Sequence, residues 1–416
     1  MTSFLEQTQM IKVKRSSKIV NAIVPLTPSK SITNRALIIR ALCDKKFNIE
    51  NAASAEDSKI LNEVLEELPS LINVNDAGTA FRFLTAFLSI QPGTFILTGS
   101  GRMKQRPIGG LVKALRSIGA DIKFMENDNF PPLKIIGKKI RGGMISIDAS
   151  ESSQFISALL LIAPKLTKGL KLELTGKINS QSYIDMTLSL MRHFGILINT
   201  DKNFIDIPFQ DYLPKTLKVE NDWSSASFWY EIAALSNEAE IILRGLNKKS
   251  IQGDVVIDDI VKIFGVQSES SGEDVIIRKF TDSEMPSLFE YDFSSCPDLV
   301  LPVATLCSSL RIDSVFNGVK NLRIKESDRL QALKNELEKI GVNVILEEDS
   351  FLIQPSTEIG NNKIFHSYND HRMIMSLTPL ALMYDEIFID DHLPVNKSYP
   401  GFWEHIREAG FTYEII

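Results

Sequence analysis

Cysteine is scarce in this chain. Cys43, Cys296 and Cys307 are all there is in 416 residues, each in an apolar context and none at metal-ligand spacing. That usage argues against a disulfide framework and against zinc, and it fits a reducing compartment. No apolar run of about 18 residues occurs, so no membrane-spanning helix is expected. The opening MTSFLEQTQMIKVKR lacks the apolar core of a secretory leader. The expected location is therefore the cytoplasm. Basic excess is missing as well: the net charge is −6, and no basic face with interleaved aromatics appears. No nucleic-acid partner is expected, and any affinity for anions must be local. What remains is ordinary for a soluble globular protein, at 44% hydrophobic and 24% charged. The length suggests two or three domains of roughly 100 to 200 residues.

The chain does have repeated polar openings to apolar helices. PSKSITNRALIIRAL from Pro28, DAGTAFRFLTAFL from Asp76, ESSQFISALLLIA from Glu151, NDWSSASFWYEIAAL from Asn221 and NDHRMIMSLTPLAL from Asn369 share this build. SCPDLVLPVATLC from Ser295 is a sixth, with an aspartate at its polar start. The positive end of a helix dipole repels cations and attracts anions. Placing Lys30, Arg35, Arg82 and Arg372 there suits a ligand with several negative charges.

Counted from Ser31, Gly78, Ser153, Ser225, Pro297 and His371, these openings recur at steps of 47, 75, 72, 72 and 74 residues. Such steps are too long for common solenoids and fit repeated supersecondary units. Between them, an amphipathic helix closing on glycine before a β-branched strand is expected four times. These are PIGGLVKALRSIGADIKF, SYIDMTLSLMRHFGILINT, GDVVIDDIVKIFGVQSES and DRLQALKNELEKIGVNVILEED. The chain reads as about six α/β units.

NLRIKESDRL, from Asn321 to Leu330, is the richest block. On its own it reads as a solvated helix start with ion pairs one turn apart. Against that, Asn321, Arg323 and Lys325 alternate in what reads as a short extended stretch, pointing to one side. Glu326 and Arg329 then share a face of the following helix. Asp298 is an acid within an apolar helix start, costly there unless it serves a partner or a substrate hydroxyl. Taken singly, the other segments have plain readings. Ser152-Ser153-Gln154 and Ser180 read as caps, Tyr183 as a half-buried ring, His371 as structural and Lys397 as a surface lysine in a loop. Ser224-Ser225, without a cation, read as structural at a crossover between halves.

Together and in order, PSKSITNRAL, AGTAFRFL, RMKQRPIGGL, SSQFISALL, NLRIKESDRL, NDHRMIM and NKSYPGFW resemble the 5-enolpyruvylshikimate-3-phosphate synthase family, one of the enolpyruvyl transferases. The resemblance runs from about Val24 to Trp403. It implies an α/β fold of two similar domains, each of three βαβαββ units, with helix N-termini facing an inter-domain cleft in an inside-out α/β barrel. Residues 1–27 plus 222–416 would form a discontinuous domain carrying phosphoenolpyruvate and acid/base residues. Residues 28–221 would form the domain that binds the phosphate of shikimate 3-phosphate.

The implied reaction moves the enolpyruvyl group of phosphoenolpyruvate to the 5-hydroxyl of shikimate 3-phosphate and releases phosphate, in the shikimate pathway of aromatic amino-acid biosynthesis. By motif, Lys30, Ser31, Arg35, Ser152, Ser153, Gln154, Ser180, Asp298, Asn321 and Lys325 would bind shikimate 3-phosphate. Lys30, Gly78, Arg106, Gln154, Arg329, Arg372 and Lys397 would bind phosphoenolpyruvate. Asp298, Glu326, Lys325 and Lys30 would carry the chemistry: Asp298 as base towards the hydroxyl, and Glu326 as acid to the methylene, with Lys325 and His371 competing for that proton. No cofactor, metal, nucleic acid or membrane is implied, and the family's habit is monomeric. Gly78 implies sensitivity to glyphosate, which a side chain there would crowd.

Two departures from the family pattern stand out. Asp76 replaces the common asparagine before Ala-Gly-Thr, and Thr27-Pro28 replaces Pro-Gly ahead of the lysine motif. Two other readings remain open. A transferase acting on UDP-N-acetylglucosamine would carry a cysteine between Gly101 and Ile108, where GRMKQRPI has none. A non-catalytic relative would have lost Asp298 or Glu326.

Overall fold

A computed structural model describes residues 9–279, 284–356, 360 and 362–416. Residues 1–8, at the start of the segment tested for a leader, lie outside the described residues. The chain divides into two compact units. The first comprises Pro28–Glu220 with Ile251–Gly253; the second is assembled from the chain through Thr27, Asn221–Ser250 and Asp254–Ile416. Each unit closes its own hydrophobic core, the first around Phe81, Leu159 and Leu190, the second around Trp229, Leu301 and Leu377.

In the first unit the helices are α1 (Lys30–Leu42), α2 (Glu56–Glu67), α3 (Gly78–Ser89), α4 (Gly109–Ser117), α5 (Ser153–Ile162) and α6 (Gln181–His193). Strands Leu71–Asn73 and Gly93–Thr98 pair in parallel across α3. Leu133–Gly137 then adds antiparallel to Gly93–Thr98, and Asp121–Phe124 antiparallel to Leu133–Gly137. The sheet around α5 and α6 repeats this plan with Gly143–Asp148 and Leu170–Thr175 as its parallel pair. A reduced copy remains beside α1 and α2, where only Ile49–Glu50 and Leu217–Lys218 pair.

The second unit holds α7 (Trp223–Leu235), α8 (Ile257–Ile260), α9 (Val300–Ser309), α10 (Arg329–Glu338), α11 (His371–Leu377), α12 (Ala381–Tyr384) and α13 (Phe402–Glu408). Its three four-stranded sheets each contain one parallel pair and two antiparallel ones. In the last sheet, strand Ile11–Lys14 lies between Glu386–Ile389 and Thr412–Ile415. Six related α/β units thus make up the chain, in agreement with the periodicity of polar helix openings.

All six openings do precede helices. α1, α3, α5, α7 and α11 begin within two residues of the counted positions, and a 3₁₀ turn, Pro297–Leu299, leads into α9. All four expected glycine stops adopt the positive φ that glycine permits: Gly119 (φ 107°), Gly195 (φ 85°), Gly265 (φ 77°) and Gly341 (φ 75°). Two expectations fail. GDVVIDDIVKIFG is not one helix: α8 is a single turn followed by the 3₁₀ segment Val261–Phe264, since dense β-branched residues weaken a helix. Asn321 and Arg323 do not lie in an extended stretch. They belong to a 3₁₀ turn, Lys320–Ile324, anchored by the fully buried Leu322. Among the described residues, no helix is long and apolar enough to cross a membrane.

Candidate active site

In the first unit, Lys30 is the first residue of α1, behind the N-cap Ser29, whose side chain accepts from Ile32 N. Its ammonium rests 3.0 Å from the Asp57 carboxylate, in the first turn of α2. Ser31 follows, and its carbonyl accepts from Arg35 Nη1 at 2.9 Å. Arg35 is only 2% exposed. Its Nε donates to Thr187 Oγ1 at 2.7 Å, and Nη2 to Ser157 Oγ and the Tyr183 carbonyl. It also lies over the rings of Phe83 and Tyr183. Burial lowers its pKa to about 10, so it remains a cation at neutral pH. Arg35 therefore ties α1 to α5 and α6 from within.

α3 has Ala77 as its N-cap, so no capping side chain covers its first amides. Above that turn lies Arg106, 5% exposed. A Cβ on Gly78 would come within 2.5 Å of its Nη1. Arg82, one turn into α3, holds the same segment by donating to the Pro107 carbonyl and to Met103 Sδ. α5 opens on Ser152, which caps Gln154 N; Ser153 is buried behind it. Gln154 Nε2 donates to Thr79 Oγ1 at 3.1 Å, joining the openings of α5 and α3. Ser180, 3% exposed, takes a left-handed backbone (φ 57°) just before α6.

In the second unit the acids and arginines interlock. Asp298, in the 3₁₀ turn before α9, has Oδ1 3.1 Å from Arg329 Nη1 and Oδ2 3.0 Å from Arg372 Nη2. Arg329 opens α10 and is 2% exposed. Its Nη2 also meets Glu326 Oε2 at 2.7 Å, and its Nε meets Asp370 Oδ2 at 2.8 Å. Glu326 thus reaches Arg329 as expected, though from the chain ahead of α10 rather than from its face. Burial alone would lower the Arg329 pKa, but the charges of Asp370, Glu326 and Asp298 raise it. Burial likewise works against ionisation of Asp370, and Arg329 outweighs it, so Asp370 stays below its usual range. Asp370 caps α11 and accepts from Arg372 N.

Further out in this unit, Asn321 sits in the 3₁₀ turn, Lys325 follows it in extended backbone, and the Lys397 ammonium lies on the Asn369 carbonyl and amide oxygens at 2.9 and 3.0 Å. His371 is buried, its Nδ1 3.9 Å from Asp370 Oδ1. Asp254, 4% exposed, accepts from the Ser224 hydroxyl. Burial and then the Asp298 charge push it up to about 7, against the pull of Arg372.

Several supporting residues escaped the sequence reading. Asp57, Thr187, Ser157 and Asp254 carry no local signal. Asp370 could have been found, since an aspartate before a helix opening is an N-cap signature. Ser224, read as structural, is the partner of Asp254.

Comparison with known proteins gives a consistent result. The family profile described as EPSP synthase (3-phosphoshikimate 1-carboxyvinyltransferase) matches residues 69–406. A 3-phosphoshikimate 1-carboxyvinyltransferase of Bacteroides fragilis is 41% identical over 400 residues, covering 95% of this chain and 97% of its own. One from Aliivibrio fischeri is 35% identical over 418 residues, covering 94% and 97%. Among solved structures, an EPSP synthase from Acinetobacter baumannii superposes with a TM-score of 0.77 at 22% identity, over 98% of this chain and all of that one, a likeness of fold.

Proposed function

The chain belongs to the EPSP synthase family, and on that premise we infer that it transfers the enolpyruvyl group of phosphoenolpyruvate to the 5-hydroxyl of shikimate 3-phosphate, releasing phosphate. The observation that carries the residue assignment is Asp298: one carboxylate shared by Arg329 and Arg372. Arginine meets carboxylate and phosphate in bidentate fashion, so the same cations suit an anionic substrate.

In the first unit, Ser31, Arg35, Ser152, Ser153, Gln154 and Ser180 bind shikimate 3-phosphate, while Lys30, Gly78, Arg106 and Gln154 bind phosphoenolpyruvate. Lys30 serves both. In the second, Asp298, Asn321 and Lys325 take shikimate 3-phosphate, and Arg329, Arg372 and Lys397 take phosphoenolpyruvate. The cations rest on protein acceptors, Lys30 on Asp57 and Lys397 on Asn369. Substrate oxygens replace those acceptors on binding. A carboxylate held by two arginines is a weak base.

The reaction is an addition followed by an elimination. Asp298 accepts the proton of the 5-hydroxyl as that oxygen bonds to the enol carbon. Glu326 delivers a proton to the methylene carbon, with Lys325 and His371 as competitors for this step, giving a tetrahedral intermediate. Glu326 takes back a methyl proton, the double bond re-forms, and the bond to phosphate oxygen breaks. Lys30, Arg106 and Lys397 take up the leaving charge.

Our reading places the chain in the cytoplasm as a monomer, which light scattering of the purified protein tests. The activity is tested by phosphate release from phosphoenolpyruvate without added metal, with shikimate 3-phosphate or UDP-N-acetylglucosamine as acceptor. Release only with shikimate 3-phosphate, abolished in Lys30→Ala, is the expected result. Release only with the nucleotide sugar overturns it.

A further inference from the structure

Asp76 departs from the family pattern at a place where a carboxylate is electrostatically awkward. It stands two residues before Gly78, at a helix opening that is to receive a phosphate-bearing anion. The structure shows what the carboxylate does there. Its Oδ1 accepts from the Ser100 hydroxyl. The Ser100 oxygen in turn accepts from the backbone amide of Met103 at 3.1 Å. Around this side-chain chain the backbone is closed twice: Ser100 N donates to the Asn75 carbonyl at 3.0 Å, and Lys104 N to the Ser100 carbonyl at 3.0 Å. Met103 opens the 3₁₀ turn that Arg106 terminates, and Arg106 N donates to the Met103 carbonyl at 3.1 Å. The path from the Asp76 carboxylate to the Arg106 backbone is thus a continuous series of hydrogen bonds. The packing is correspondingly tight, since a Cβ on Gly99 would lie 2.6 Å from the Asn75 carbonyl oxygen.

We propose that Asp76 is a positioning residue: through Ser100 it straps the 99–106 segment onto the opening of α3 and fixes where the Arg106 guanidinium stands over Gly78. The carboxylate does so while spending its charge on a hydroxyl. Ser100 has one proton to donate and gives it to Asp76, which leaves its oxygen lone pairs for the Met103 amide. A hydrogen bond to a charged acceptor is stronger than a neutral one, so the turn is held more firmly than an asparagine would hold it. The consequence for function, which rests on the enolpyruvyl-transfer reading, is that Asp76 sets affinity for phosphoenolpyruvate without touching it.

Two measurements test this on the full chain. Steady-state kinetics of Asp76→Ala are expected to show the KM for phosphoenolpyruvate raised about five- to tenfold, the size of one ordinary hydrogen bond. The KM for shikimate 3-phosphate and kcat stay near wild type. Ser100→Ala produces the same change, the double variant is no worse than either single, and Asp76→Asn recovers most of the loss. Hydrogen exchange at the Met103 and Lys104 amides, read without any substrate, accelerates in Asp76→Ala and Ser100→Ala and falls to an intermediate rate in Asp76→Asn. A wild-type protein without turnover would remove the enolpyruvyl-transfer reading, while the exchange data would still judge the strap. Unchanged exchange in Asp76→Ala, tighter binding of phosphoenolpyruvate in that variant, or additive effects of the two alanine substitutions would each overturn the proposal.

Discussion

The guanidinium of Arg106 occupies the space that a side chain on residue 78 would need: a Cβ there would lie 2.5 Å from Nη1 and 2.7 Å from Nη2. Glycine at this position is a condition for Arg106 to stand where it does. Gly78→Ala is expected to push Arg106 off the α3 opening and raise the KM for phosphoenolpyruvate at least about tenfold, by misplacing one charged ligand. The wild type should be inhibited by glyphosate well below millimolar concentrations and Gly78→Ala should not. Inhibition curves for the two proteins check both statements.

Asp298→Asn keeps the shape of the side chain and removes its basicity. Turnover is expected to fall about 10²- to 10⁴-fold, the usual contribution of a positioned base. Circular dichroism should remain that of the wild type. Near-normal kcat would take the base role away from Asp298.

Arg329 is a different case, because it neutralises Asp298, Glu326 and Asp370 from a buried position. Arg329→Met leaves three carboxylates without their common cation. Stability of the second unit should drop by about 3–5 kcal/mol, as when one partner of a buried ion pair is deleted. Urea unfolding measures it, and Arg372→Met, at the less buried partner of Asp298, should cost distinctly less.

Asp254 should make stability depend on pH. Its folded pKa, about 7, lies above the ordinary value of about 3.9. The unfolded chain therefore releases this proton first, and stability is lost as pH rises from about 4 towards 7. Asp254→Asn removes that slope. Urea midpoints at several pH values compare the two proteins, and an identical slope in both contradicts the assignment.

Glu231 lies in the middle of α7, 1% exposed, and neither carboxylate oxygen has a hydrogen-bond partner among the described residues. Burial raises its pKa well above the usual carboxylate range, which favours the neutral form in the folded protein. Glu231→Leu should stabilise by about 1–3 kcal/mol, the cost of desolvating an unsatisfied polar group. A lower melting temperature in this variant would be the contrary result.

The sequence revealed the architecture better than the site's internal wiring, for a physical reason. A helix opening is a local event, written in a capping residue and an apolar period, so Ser152 before α5 and the polar start of α1 were readable. The glycine stop after α10 was equally local. The short α8 segment misled because its apolar residues keep a helical period while their β-branching weakens the helix. The partners of the charged groups are long-range. Nothing near Lys30 announces Asp57, 27 residues away, and nothing near Arg35 announces Thr187, 152 away. Asp76 was visible as an anomaly, but its acceptor role depends on Ser100, which only the fold brings to it.

Strand Ile11–Lys14 is synthesised long before the rest of its sheet, whose other described strands lie beyond residue 363. It must therefore wait, unpaired, until its partner strands Glu386–Ile389 and Thr412–Ile415 have left the ribosome. Pro28–Glu220 meanwhile emerges complete and is free to fold early. Ile416 then donates its amide to the Met10 carbonyl at 2.8 Å. The second unit therefore closes only after strand Thr412–Ile415 has been made, and a chain stopped before that strand would lack one of the two partners that hold Ile11–Lys14 in place.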